Sequence, residues 1–364
     1  MHIFFKAISA ATLTLGLIWA TSAITRPPYD GRAGIAYAKA TAPLRGQSLD
    51  VHLWYPTEPG GRAVTVGGNG VFHGTPAGRG APPAPGRHPL IVMSHGAGGN
   101  AGQFGWIASK LAAAGYVVAL PNHPGSTSGN ASAIEAARIW QRPQDVTAVL
   151  DEITSHPQDY PFVAPARIGV LGFSAGGYTA LALSGARVDP ARLAAFCDAG
   201  GRGMSDCDFF ARFGVDLHAI DLTPAAQDLR DDRIGFAVVV DPGIVETLTS
   251  DSLGRIDLPM LVINLGAEAH VPAPVHARAL SETVPGAQYR LVADATHFSF
   301  LAECTPKGPA ILVAEGEADP LCTDAGGRSR GDIHAELADT ILQFLGTAAA
   351  AGSGAGAGAV VNGS

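Results

Sequence analysis

Arg167-Ile-Gly-Val-Leu-Gly-Phe-Ser-Ala-Gly-Gly177 decides how the chain is read. Its first half is a short apolar run of the kind found in strands buried on both faces. Its second half matches G-x-S-x-G, with Ser174 at the centre and a helical pattern from Ala175 to Ser184 behind it. In a chain with 46 glycines the string alone is weak, and its place between a strand and a helix gives it force. A sharp strand-to-helix turn lifts a hydroxyl above the sheet edge, and glycines at 172 and 176 remove Cβ atoms that would collide across so tight a turn. The plainer reading is a serine capping a helix after a strand.

Outward from that turn, strands and helices alternate. Strands are expected at Ser48 to Tyr55, Pro89 to Ser94, Tyr116 to Leu120, Ile234 to Val240, Pro259 to Asn264 and Tyr289 to Val292. Helical spacing covers Ala101 to Ala114, Arg142 to Ile153, with Pro143 in its first turn, and Ile333 to Phe344. This order predicts an α/β fold, a mostly parallel sheet with helices on both faces. Thr57 to His88, rich in Gly, Pro and Ala, reads as a long surface loop. Val188 to Arg233 is too long for an ordinary connection and reads as a cap over the site.

A serine hydroxyl needs a neighbouring base, and in this element order the base follows the last strand. His297, in Asp294-Ala-Thr-His-Phe-Ser-Phe-Leu301, stands there. His276 and His334 fall on expected helices, and His270 precedes one. Two acids qualify to orient the imidazole. Asp241 ends the strand Ala237-Val-Val-Val-Asp241 and is the first choice, because an ionised carboxylate there would otherwise sit unpaired at the edge of the core. Glu268, in the turn after the next strand, is the alternative, while Asp294 is too near His297 in sequence to reach around the ring easily. The backbone amides of Ala175 and of Ala97, in the turn His95-Gly-Ala-Gly98, are the expected oxyanion donors. His95 is expected to brace that turn, with His123 and Trp106 as candidate pocket residues.

The net charge of −8, from 24 basic and 32 acidic residues, leaves no basic excess for phosphates and argues against a nucleic-acid partner. Met1 to Ala23 has the form of a secretory signal: Lys6, an apolar run from Ala7 to Ala20, then Thr21-Ser-Ala23. That run is about fourteen residues where a membrane span needs about twenty, so cleavage after Ala23 is expected rather than a retained anchor. The hydrolase domain then covers residues 24 to 346, with the cap at about 188 to 233, and residues 347 to 364 form a disordered Gly/Ala tail. Export favours disulfides, and of the three possible pairings Cys197–Cys207 with Cys304–Cys322 closes the shortest loops. Neither a cofactor nor a metal is expected. The acidic stretch holding Glu315, Glu317, Asp319 and Asp324 does not match a calcium loop and reads as a solvated face.

The set Ser94-His-Gly-Ala-Gly98, Gly172-Phe-Ser-Ala-Gly-Gly177, Val240-Asp-Pro242 and Thr296-His-Phe-Ser-Phe-Leu301, in the order Ser, Asp, His, resembles the α/β-hydrolase superfamily over about Ser48 to Leu345. Within it, Leu53-Trp-Tyr-Pro56, Arg142-Pro-Gln-Asp145 and Phe300-Leu-Ala-Glu-Cys304 resemble the bacterial predicted dienelactone hydrolases, relatives of platelet-activating-factor acetylhydrolases. The resemblance implies a triad acid after the strand that follows the nucleophile helix, which favours Asp241. True dienelactone hydrolases use a cysteine nucleophile, and this chain has Ser174 there, so the resemblance implies a carboxylic ester substrate rather than a dienelactone. The expectation is an exported serine esterase, periplasmic or secreted, for short-chain acyl or acetyl esters. A lipase or polyester hydrolase on the same triad, and a catalytically inactive binding protein on the same fold, are the alternatives.

Overall fold

A computed structural model describes residues 28–199 and 206–354. The expected signal segment Met1 to Ala23 lies outside them. Twelve strands are present among the described residues: β1 (Ala33–Thr41), β2 (Ser48–Pro56), β3 (Arg62–Val66), β4 (Thr75–Arg79), β5 (His88–Ser94), β6 (Val117–Pro121), β7 (Ser126–Thr127), β8 (Asn130–Ala131), β9 (Val163–Phe173), β10 (Ile234–Val240), β11 (Met260–Leu265) and β12 (Gln288–Val292). Ten of them form one sheet in the order β12-β11-β10-β9-β5-β6-β2-β1-β4-β3. From β6 to β12 neighbouring strands run parallel, and β2 and β1 are joined antiparallel at the other side.

The helices are α1 (Gly105–Ala113), α2 (Ala133–Ala137), α3 (Gln141–Ser155), α4 (Ala175–Leu183), α5 (Pro190–Ala194), α6 (Asp206–Arg212), α7 (Ser250–Leu253), α8 (Arg278–Thr283), α9 (Gly308–Glu315) and α10 (Arg330–Gly354). Because successive strand side chains point to opposite faces, each central strand feeds two cores. Val92, Val170, Val239 and Val262 pack on the side of α3 and α4, with Val146, Leu150 and Leu181. Met93, Leu171, Val238 and Ile263 pack on the other side with Ile107 and Leu111 of α1 and Ile333, Leu337 and Ile341 of α10. This two-sided burial is why the strands read as continuous apolar runs.

Three expectations need correction. Residues 57–88 are not one loop, since β3 and β4 form an antiparallel hairpin at the sheet edge. Pro76 is tolerated in β4 because β1 pairs with that strand only at Gly78 and Arg79, so one side of the strand is unpaired at Pro76. The strand Ala33–Thr41, built largely of alanine, was not expected, and it pairs with β2 over its whole length. The last helix runs on to Gly354 rather than stopping near Phe344, because Ala348 to Ala351 are the strongest helix formers available. The remaining tail, 355–364, lies outside the described residues.

The expected cap is a set of short helices, α5 and α6 with 3₁₀ turns at Ala195–Cys197, Leu217–Ala219 and Thr223–Ala226. Cys197 and Cys207 are bonded across it, Cα to Cα 5.4 Å, and Cys304 is bonded to Cys322 at 5.7 Å. Both pairs are those with the shortest loops. No helix among the described residues is long and apolar enough to cross a membrane.

Candidate active site

Ser174 caps α4 at the end of β9 with φ 55° and ψ −121°, a conformation that costs a non-glycine residue roughly 1–3 kcal/mol and persists only where its surroundings enforce it. They do so through the backbone. Ser174 N–H donates to Val240 O at 3.0 Å, and Ser174 O accepts from Gly177 and Gly243, each at 2.8 Å. The glycines carry the sterics: a Cβ on Gly172 would lie 1.9 Å from Gly176 O, and one on Gly176 would lie 1.9 Å from Ser94 O. The second clash is with the end of β5 rather than across the turn itself.

His297 opens a 3₁₀ turn, His297–Phe300, after β12. Its Nδ1 lies 2.9 Å from Asp241 Oδ2. Asp241 is fully buried, has φ 40°, and follows β10. Its other oxygen, Oδ1, accepts from Asn264 Nδ2 at 2.8 Å and from Leu265 N–H at 2.9 Å, both on β11. Both oxygens of the carboxylate are therefore hydrogen-bonded, which offsets the cost of burying it. Glu268 does not reach His297: it is exposed and pairs with Arg278 at 2.7 Å and His276 at 3.1 Å. Asp294 pairs with Arg328 at 2.6 Å. His276 lies before α8 rather than on a helix, His270 ends a 3₁₀ turn, and His334 is buried on α10.

Phe173 joins the two halves of the site, its ring 4.7 Å from the His297 ring and its backbone next to Ser174. Among the described residues no hydrogen bond joins Ser174 to His297, a contact of a kind that often forms only once a substrate is bound. Ser174, Ala175 and Ala97 line one cavity of about 50 Å³. Among the described residues the Ala97 and Ala175 amides have no hydrogen-bond acceptor, so both can donate to an incoming oxygen. Gly96 brings the Ala97 turn against Ser174, because a Cβ there would stand 3.2 Å from Ser174 Cβ. The far wall comes mostly from the cap and α2 region: it is built of Phe196, Phe210, Leu217 and Ile139, with one carboxyl group, Asp206 of α6, whose pKa burial raises.

His95 braces its turn as expected, Nδ1 to Gly96 O at 2.7 Å. Trp106 and His123 are not pocket residues. Trp106 is buried against α10, its Nε1 donating to Phe300 O at 3.0 Å, and His123 is fully buried between Ser94 and Asp145. Two charged groups on the cavity wall escaped the sequence reading: Asp206 of α6 and Arg142, which reaches the wall from the first turn of α3. For Arg142 the signal was a cation and a carboxylate, Arg142 and Asp145, sharing a helix face with Val146, Val149 and Leu150. Asp324 serves structure, accepting from Ser299 Oγ at 2.5 Å and pairing with Arg330 at 3.1 Å.

Comparison with known proteins agrees with this architecture. Residues 76–197 match the model of the dienelactone hydrolase family. A ferulic acid esterase from Streptomyces cinnamoneus superposes with a TM-score of 0.59 at 19% identity, covering 89% of this chain and 91% of that one. A dienelactone hydrolase from Anabaena variabilis gives a TM-score of 0.43 at 14% identity over 78% of this chain and 95% of its own. A dienelactone hydrolase-like promiscuous phosphotriesterase from metagenomic libraries gives 0.49 at 14% identity over 86% and 99%. No curated protein matches in sequence. Residues 76–197, which include Ser174, thus match the dienelactone hydrolase family, and the chain as a whole shares the fold of the ferulic acid esterase.

Proposed function

We propose that the protein is an exported serine esterase for short carboxylic esters. Ser174 Oγ attacks the ester carbonyl as His297 Nε2 takes its proton. Asp241 holds His297 in the tautomer with Nδ1 protonated and stabilises the imidazolium that forms. The Ala97 and Ala175 amides receive the oxyanion. Collapse of the tetrahedral intermediate returns the proton from His297 to the leaving alcohol and leaves an acyl group on Ser174. Water, activated by the same imidazole, then releases the acid.

The observation that carries this reading is the Asp241–His297 bond of 2.9 Å, formed beside a strained Ser174 whose cavity also holds two unpaired amides. The fold shared with a ferulic acid esterase supports ester hydrolysis. The cavity of about 50 Å³ favours a short acyl group over a long chain, and the apolar side chains of Phe196, Phe210, Leu217 and Ile139, with the Asp206 carboxyl beside them, disfavour an anionic one. Two disulfides and the form of Met1 to Ala23 support export. The test is a series of p-nitrophenyl esters of increasing chain length. Highest kcat/KM on acetate to butyrate, with Ser174→Ala inactive, is expected. A preference for long, aggregated esters would replace this reading with a lipase, and activity retained by pure Ser174→Ala would remove Ser174 from the mechanism.

A further inference from the structure

Beneath the Ala97 turn lies a buried polar cluster that the triad does not use. Arg142 is 3% exposed, and its guanidinium reaches three parts of the site at once. One Nη donates to His95 O and to Ser94 Oγ (3.4 Å), the other donates to Ser126 Oγ at 2.6 Å, and Nε donates to Thr179 Oγ1 at 3.4 Å. Thr179 belongs to the nucleophile helix α4 and bonds back to Ala175 O at 3.0 Å. Ser126 O accepts from Gly98 N–H at 3.1 Å, on the far side of the same turn. Arg142 thus ties together the carbonyl before Gly96, the residue after Ala97 and the helix that carries Ser174.

The charges of this cluster do not cancel. Asp145, one turn further along α3, accepts from Arg45 and from His123 Nδ1 at 2.8 Å. His123 Nε2 then accepts from Ser94 Oγ at 2.9 Å. Burial, and next the Arg142 charge, hold His95 and His123 well below the usual histidine range, so both are neutral. Burial also pulls Arg142 down to about 9 and pushes Asp145 up to about 6. At neutral pH two guanidinium groups face one carboxylate, and the unmatched positive charge sits under the oxyanion turn. An uncompensated buried charge is unfavourable, and a neighbouring anion relieves it. An oxyanion formed at Ser174 would be that anion.

Resting on the serine-esterase reading, we propose that Arg142 is the positioning residue of the oxyanion site. It clamps the His95–Gly96 peptide so that the Ala97 amide faces Ser174, and its charge favours the anionic intermediate over the neutral ester. The effect belongs to kcat and to tetrahedral adducts, and substrate binding in the ground state should feel little of it.

The test compares wild type, Arg142→Gln and Arg142→Lys on a short p-nitrophenyl ester, together with the inhibition constant of phenylboronic acid, which forms a tetrahedral adduct on a serine. Removing one oxyanion donor typically lowers kcat about 10²–10³-fold. For Arg142→Gln a kcat loss of about 100-fold is expected, with KM within about threefold and boronate affinity falling by the same factor as kcat. Arg142→Lys keeps the charge without the fork and should lie between the two proteins, which preserves the test if the glutamine variant does not fold. A folded variant with wild-type kcat, or one whose loss lies wholly in KM, would overturn the assignment. If wild type itself neither hydrolyses the ester nor binds the boronate, the esterase reading fails and this inference with it. If wild type does both and the variants match it, only the inference fails.

Discussion

Asp241 divides its two oxygens between two jobs, Oδ2 to His297 Nδ1 at 2.9 Å and Oδ1 to Asn264 Nδ2 and Leu265 N–H on β11. An asparagine at 241 would keep its oxygen toward the two β11 donors, so its NH₂ would face His297. That donor forces Nδ1 to accept and puts the proton on Nε2, where the base must be free. Asp241→Asn should therefore fold normally and lose kcat by about 10⁴-fold with little change in KM. Steady-state kinetics on a short ester, with circular dichroism as the folding check, decide this. A loss of less than tenfold would contradict the role given to Asp241.

Acid stability should depend on His334. Its ring stacks on Trp106 at 3.7 Å and 3°, and Nε2 donates to Ser299 O and Leu301 O. Burial is the main cause that lowers its pKa to about 4. A histidine depressed in the folded state contributes stability above the unfolded value near 6.5 and loses it as pH falls toward 4. Urea unfolding at pH 7 and pH 4.5 should show wild type losing about 2 kcal/mol more than His334→Gln over that interval. Equal losses in the two proteins would sink the prediction.

Gly172→Ala should destabilise the fold by about 3 kcal/mol or more, since its Cβ would meet the backbone of Gly176 at 1.9 Å and neither strand nor helix can give way. Denaturant midpoints of wild type and variant measure it. Near-wild-type stability would mean that the turn is looser than described.

The Cys304–Cys322 bond closes a loop with a sequence separation of 18 beside the His297 turn, and Thr296 Oγ1 donates to O of Thr323, the residue after Cys322. Replacing both cysteines by serine should lower stability by about 3 kcal/mol on the loop-entropy argument. Thermal unfolding in the presence and absence of a reductant provides an independent check, because reduction should shift wild type by more than the double variant, which keeps only Cys197–Cys207.

The parts of the molecule legible in the sequence are those where burial is complete. β5, β6, β9, β10 and β11 are covered on both faces, so their residues carry little besides burial, and the glycines around Ser174 mark a backbone that tolerates nothing larger. Asp241 was visible as an acid ending an apolar strand. β1 and β4 were not, because alanine, glycine and proline carry little β preference, and β3 was not, because its five residues sit inside a Gly- and Pro-rich stretch; long-range pairing holds all three. Arg142 and His123 escaped for a related reason. Their partners come from β5, β7, α3 and α4, and only the folded chain brings Ser94, Ser126, Asp145 and Thr179 to one place.

The central claim is an activated nucleophile at Ser174, and covalent labelling of the purified protein with a fluorophosphonate, followed by peptide mapping, tests it most directly. The account predicts one adduct, on Ser174 in the peptide containing Gly172-Phe-Ser-Ala-Gly176, absent in Ser174→Ala and strongly slowed in Asp241→Asn. An unlabelled wild-type protein, or an adduct on any other residue, would contradict it.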